Sequence, residues 1–312
     1  MMLKFLTIGF VAVLLNVSAS WAEAPRVVTD IPPVHSLVSR VMHGVGTPGL
    51  LVRTGASAHS HALRPSDAEI LEQADLVIWI GPELTPWLEK PIGVLAGSAD
   101  TVELLEAEGT KTLSFRESEA FEVAEDDDHD GGEHDEHDHA HDGVDPHAWL
   151  DPENATFWLE LIGSKLAELD PENAEAYLLN AEQSKSEIKK LVSEIERDLI
   201  PVVGARFIVF HDAYQYFESR FGLSAAGAIA LGDASDPGPA RIAAVRELVW
   251  DANVKCILSE PLARDGLVQT VVDGSGARIA TVDPAGAGLN HGPDLYLELL
   301  RSLTSELKDC MS

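Results

Sequence analysis

The feature that most constrains this chain is a strand-and-helix rhythm on both sides of a segment with nothing to build a core from. Arg26-Val27-Val28-Thr29-Asp30-Ile31 reads as a strand, stopped by Pro32-Pro33. Leu37, Val38, Val41 and Met42 then recur at helical spacing until Gly44 and Gly46. Gly49-Leu50-Leu51-Val52 is a second strand, Pro65-Ser66-Asp67-Ala68 opens a second helix, and the run from Ala74 to Ile80 is a strand of the buried type. After Pro201 the alternation returns. Strands are expected at Phe207 to Phe210, Cys256 to Ser259 and Ala277 to Val282, with helices over Arg241 to Trp250 and Gly266 to Val272 between them. Strands separated by helices in this way pair in parallel. The expected fold is therefore α/β: two similar lobes, each a parallel sheet flanked by helices. The halves share no residue-level repeat.

Between the halves, Asp151-Pro152 and Asp170-Pro171 each offer a capping carboxylate followed by a proline suited to the first helical turn. The first predicted helix ends near Leu169. The second runs to about Leu199, with Tyr177, Ala181, Ile188, Leu191, Val192 and Ile195 as its apolar stripe. At 1.5 Å per residue it is roughly 40 Å long, enough to join one lobe to the other. The expected organisation is a leader at 1–22, an N-terminal lobe at 23–169 containing a charged loop at 125–143, a linker helix at 170–200 and a C-terminal lobe at 201–312.

The leader has the layout of a secretory signal peptide. Lys4 precedes an apolar run from Phe5 to Val17, and Ser20 and Ala22 occupy the small-residue positions of a cleavage site. The run is shorter than the ~20 residues a membrane span needs. No later stretch is long and apolar enough either. The formal net charge of −30 excludes nucleic acid as a partner and favours cations or positively charged surfaces. Cys256 and Cys310 are the two cysteines. In an exported chain an isolated pair reads as a disulfide, the alternative being two unpaired thiols.

Of twelve histidines, five lie in the charged loop: His129, His134, His137, His139 and His141. Eleven acidic residues accompany them between Glu122 and Asp142, without lysine or arginine. Neutral imidazoles suit Zn²⁺, Cu²⁺ or Ni²⁺, and carboxylates raise the local cation concentration. The loop is an auxiliary metal tether, and ordering it around one ion would cost entropy. His59 and His61 follow a strand, His147 precedes a helix and His211 ends a strand, the loop positions where open α/β folds hold ligands. Their spacing does not show that they converge. His35, His43 and His291 read as turn residues.

The chain resembles the metal-binding solute-binding proteins of ABC importers, in the cluster with a rigid linker helix, and among them the zinc-specific periplasmic proteins of the ZnuA type. The matching segments, in order, are Gly55-Ala56-Ser57 through His59, Leu63-Arg64-Pro65-Ser66-Asp67, Ala74 through Glu83, Asp145-Pro146-His147-Ala148-Trp149-Leu150-Asp151-Pro152, Phe210-His211-Asp212-Ala213-Tyr214-Gln215-Tyr216-Phe217, Ser259-Glu260-Pro261 and Asp283-Pro284. The resemblance implies high-affinity capture of Zn²⁺ in the periplasm by a monomer and delivery to an inner-membrane ABC permease with a cytoplasmic ATPase. It implies ligands at His59, His147 and His211, with Asp283 as the C-lobe carboxylate. It also implies the charged histidine loop and the Cys256–Cys310 disulfide.

Where some relatives carry Glu before the first ligand, this chain has Ala58, so the fourth ligand is Asp283, water or His61. Three imidazoles with one oxygen form a tetrahedral set suited to Zn²⁺. Manganese-type relatives carry a carboxylate at the third position, so His211 favours zinc. Asp145 and Asp212 are candidates for supporting groups. The competing expectations are a zinc buffer or adhesin on the same fold, a manganese importer component, and a zinc hydrolase. The last lacks a His-Glu-x-x-His motif, and the chain is expected not to be an enzyme.

Overall fold

The computed structural model describes residues 23–53, 55–116, 143–230, 237–261 and 263–312. The leader and the five loop histidines, His129, His134, His137, His139 and His141, lie outside the described residues.

The N-terminal half holds β1 (Val27–Thr29), α1 (Pro32–Val41), β2 (Gly49–Leu50), α2 (Pro65–Glu72), β3 (Leu76–Trp79), α3 (Glu89–Leu95) and β4 (Asp100–Glu103). Then come α4 (Pro152–Leu169) and the long α5 (Ala174–Leu199). The C-terminal half holds β5 (Phe207–His211), α6 (Gln215–Phe221), β6 (Ala225–Ala230), α7 (Pro239–Asp251), β7 (Cys256–Ser259), α8 (Asp265–Val272), β8 (Arg278–Thr281) and α9 (Leu295–Met311). Each half forms a four-stranded, all-parallel sheet, ordered β2-β1-β3-β4 and β6-β5-β7-β8. The second, first, third and fourth strands of each half thus stand in the same lateral order. The expected two-lobed α/β architecture is the observed one.

Two strands are absent from the expectation. β4 (Asp-Thr-Val-Glu) is a half-exposed edge strand, and β6 (Ala-Ala-Gly-Ala-Ile-Ala) is fully buried but built of small residues. Neither carries the branched apolar run by which a strand announces itself. α5 also starts a turn later than the Asp170-Pro171 signal implies. Asp170 does not cap it; its Oδ2 accepts hydrogen bonds from Asn173 Nδ2 (2.7 Å) and Tyr177 Oη (2.8 Å). At the earlier helix Asp151 does cap as expected, accepting from Glu153 N at 2.9 Å.

Helices cover both faces of each sheet. One apolar cluster lies between the N-terminal sheet and α2 and α3, and another between the C-terminal sheet and α7 and α8. The largest is continuous from Val27 and Leu37 through Trp158, Tyr177 and Ile188 to Phe207, Leu258 and Tyr296. Both lobes and the long helix therefore share one core. Among the described residues no helix is long and apolar enough to cross a membrane.

Cys256 on β7 and Cys310 on α9 form a disulfide, so of the two expectations the paired one holds. It fastens the last helix to an inner strand across 54 residues of sequence. Replacing both cysteines by alanine is expected to lower the unfolding free energy by about 4 kcal/mol in the chain-entropy account. Urea denaturation monitored by circular dichroism checks this, and an unchanged midpoint would contradict it.

Candidate metal centre

Parallel strands deliver their C-terminal ends to one edge, and ligand-bearing loops collect there. On the C-terminal sheet β5 pairs with β7 as Phe207↔Cys256, Ile208↔Ile257 and Val209↔Leu258. Two steps further along this register His211 comes level with Glu260. Asp283 follows β8. On the other lobe His59 lies in the loop after β2, and His147 begins the short 3-10 turn Ala148–Leu150 that leads into α4. His59, His147, His211 and Asp283 all line one cavity of about 210 Å³ at the junction of the lobes, with Trp149, Phe210 and Glu260.

His147 and His211 are nearly buried and are held from behind by carboxylates. His147 Nδ1 lies 2.7 Å from Asp145 Oδ1, which also accepts the His147 backbone N–H at 3.0 Å. His211 Nδ1 lies 2.6 Å from Glu260 Oε1, which also accepts from Tyr214 Oη at 3.3 Å. A carboxylate accepts, so it draws the ring hydrogen to Nδ1 and turns the Nε2 lone pair outward. The two Nε2 atoms meet 3.4 Å apart. Burial pushes the Asp145 carboxyl up to about 7, against the His147 backbone hydrogen bond and the Arg116 charge, which lower it. Burial also raises the Tyr214 hydroxyl well above its usual value, with the Glu260 and Asp283 charges adding to the shift.

His59 stands further out, its ring centroid 5.8 Å from that of His147, against 5.2 Å between His147 and His211. Among the described residues no group of three or more His, Cys, Asp or Glu side chains is close enough to hold an ion as placed. The loop that carries His59 turns at Gly55, whose φ of +78° is open to glycine at little cost. Asp283 is oriented by its own turn, accepting from Ala285 N (3.0 Å) and Gly288 N (3.2 Å).

His61 points elsewhere. Its ring meets Trp87 edge-on at 5.1 Å, and its Nε2 is 3.7 Å from Asp67. It is not among the residues lining the cavity. Of the two aspartates considered as supports, Asp145 holds a histidine, whereas Asp212 is gripped by Arg116. Sequence reasoning missed the role of Glu260. Glu260 stands in the matching segment Ser259-Glu260-Pro261, and its local signal is an acidic residue directly after a buried strand, at the sheet edge where ligands collect. Two of the three histidines read as turn residues lie near each other, His35 inside α1 and its ring 6.5 Å from that of His291.

Two parallel sheets of like order, a long helix between them and a cavity lined by histidines and carboxylates at the sheet edges define a two-lobed solute-binding protein. The profile of the family described as "Zinc-uptake complex component A periplasmic" matches residues 27–310, and the chain belongs to that family. It is 42% identical over 332 residues to the high-affinity zinc uptake system protein ZnuA of Brucella suis, covering 99% of this chain and 98% of that one. It is 43% identical over 316 residues to the protein of the same name from Paracoccus denitrificans, with 93% of each covered. A crystal structure titled as that of ZnuA superposes with a TM-score of 0.76 at 19% identity, covering 93% of this chain and 100% of the other.

Glu260→Gln weakens the hold on His211 while keeping size and shape. The expected outcome is a Zn²⁺ affinity about 10- to 100-fold lower with an unchanged fold. Competition against a chromophoric chelator measures it, and wild-type affinity would contradict a supporting role for Glu260.

Proposed function

We propose that this chain captures Zn²⁺ in the periplasm, after removal of residues 1–22, and delivers it to an inner-membrane ABC permease driven by a cytoplasmic ATPase. The ion is cargo, bound by His59, His147 and His211 with Asp283 as the fourth ligand. In this reading residues 23–169 and 201–312 are the lobes, 170–200 is the linker and the protein acts as a monomer without catalysis. The histidines of the 125–143 loop hold further ions weakly.

One observation carries this reading: the 3.4 Å separation of the two Nε2 atoms. Two nitrogens each about 2.0–2.1 Å from a tetrahedral Zn²⁺ stand about 3.3 Å apart. The Nδ1 carboxylate partners supply the outer support that metal-bound imidazoles require. His59 completes the set by a small inward shift of its loop. The names of the relatives support zinc as the cargo, and a histidine at position 211 is a softer ligand than a carboxylate would be.

A competition titration of Zn²⁺ against Mn²⁺ tests the reading on the full chain and on the chain lacking residues 125–143. One tight Zn²⁺ site in both, unchallenged by Mn²⁺, is expected, with the weaker sites lost on deletion. A tight site that vanishes with the loop, or admits Mn²⁺ equally, would contradict it. Changing His59, His147 and His211 together to alanine is expected to abolish tight binding.

Acidity supplies a further check. Ligand imidazoles bind the ion only when neutral, and their ordinary pKa is about 6.5. Protons therefore compete as pH falls, and Zn²⁺ affinity is expected to drop steeply from pH 8 to pH 5. Constant affinity across that window would exclude histidine ligation.

A further inference from the structure

The last described residue before the charged loop is Arg116, and it grips the opposite lobe. Its Nε donates to both oxygens of Asp212 (2.9 and 3.1 Å), its Nη1 and Nη2 donate to the two oxygens of Glu218 (2.9 Å each), and Nη2 also meets Asp212. The Arg116 side chain is 18% exposed, and those of Asp212 and Glu218 are 3% and 4%. Such planar, bidentate pairing is a property of arginine that lysine lacks.

Arg116 belongs to a two-stranded neck. Ser114 bridges Val144 antiparallel, Phe115 N donates to Gly143 O (3.2 Å) and Asp145 N donates to Leu113 O (2.8 Å). Tyr216 on α6 fastens the neck a second time: its hydroxyl accepts from Leu113 N (2.9 Å) and donates to Asp145 O (2.7 Å). The neck ends in Asp145, which orients His147. The other side of the grip is Asp212, the residue after His211, and Glu218, which also accepts from Ala225 N at the start of β6 (2.9 Å).

We infer that Arg116 is a positioning residue for the metal centre: its grip on Asp212 and Glu218 sets the separation of His147 and His211. This rests on the reading of those two histidines as ligands. The physical ground is charge. Asp212 and Glu218 are two nearly buried carboxylates sharing one cation. Without it they repel each other and are stranded in a low-dielectric site, which is strongly unfavourable. Relief comes when the neck lifts and water enters, and Asp145 and His147 move with the neck. The ligand separation would then widen although no ligand had been altered.

The test uses the full chain, with Zn²⁺ measured by competition and Co²⁺ as a spectroscopic probe of ligand geometry. Arg116→Met is expected to lower Zn²⁺ affinity about 10- to 100-fold, the range typical of lost outer support. It is also expected to change the intensity and position of the visible Co²⁺ bands. Arg116→Lys should fall between Arg116→Met and wild type, because one ammonium restores charge without the double grip. Wild-type affinity and an unchanged Co²⁺ spectrum in Arg116→Met would overturn the inference, even if thermal stability fell.

His147→Ala is measured alongside. If it abolishes binding while Arg116→Met changes nothing, the positioning role alone fails. If it leaves binding intact, the ligand assignment fails and the inference with it. Should Arg116→Met not fold, Arg116→Lys and Tyr216→Phe decide: a loss in both supports the grip, and wild-type affinity in both overturns it.

Discussion

Everything at the metal centre depends on the apolar core that the two lobes share. Tyr177, Ile188, Leu191 and Ile195 of α5 lie in the same cluster as Val38 and Trp158 of the N-terminal half and Phe207, Leu258 and Tyr296 of the C-terminal half. Polar bonds follow the same seam. Ser36 Oγ donates to Pro293 O (3.0 Å), Tyr296 Oη to Trp149 O (2.8 Å) and Trp149 Nε1 to Pro284 O (2.8 Å). A hinge between the lobes would have to open close-packed apolar surface to water, and interiors resist that strongly. Movement that admits or releases an ion is therefore left to the loops at the strand ends. His147 and Asp283 stand within two residues of the Trp149–Pro284 bond, so the frame that fixes the lobes also fixes the cavity residues contributed by each.

On that frame the site works by holding imidazoles from behind. Asp145 and Glu260 occupy the Nδ1 side of His147 and His211. The Nε2 atoms then face each other with little rotational freedom to lose when an ion arrives. Preorganisation of this kind raises affinity by reducing the ordering cost of binding. His59, on a loop that follows a two-residue strand, is the adaptable member. In the proposed reading, two fixed ligands and one mobile ligand suit a carrier, which must bind tightly and also let go.

The architecture was legible because its strong signals are local. The buried runs of β1, β3, β5 and β7 and the Asp151-Pro152 helix start stand where the sequence implies. Asp170-Pro171 misled by one turn because Tyr177 and Asn173 compete for the carboxylate, a contact made only once the helix packs. The edge strand β4 and the small-residue strand β6 had no pattern to betray them. For the site, histidine spacing alone carried no information on convergence; family resemblance supplied it, and His59, His147, His211 and Asp283 line one cavity. The carboxylates behind the imidazoles were only partly legible: Asp145 meets the ring two residues on, Asp212 is turned to the distant Arg116, and Glu260 reaches His211 only through the pairing of β5 with β7. The Arg116 grip, spanning 96 and 102 residues to its partners, lay beyond local reading.

The central claim is that one ion is held by imidazoles brought from both lobes. X-ray absorption at the zinc edge, on the chain lacking residues 125–143 and loaded with one equivalent of Zn²⁺, tests it most directly. The expected first shell is four nitrogen or oxygen atoms at about 2.0–2.1 Å, with outer-shell scattering from three imidazole rings. A six-oxygen shell, or scattering from fewer than two imidazoles, would contradict it.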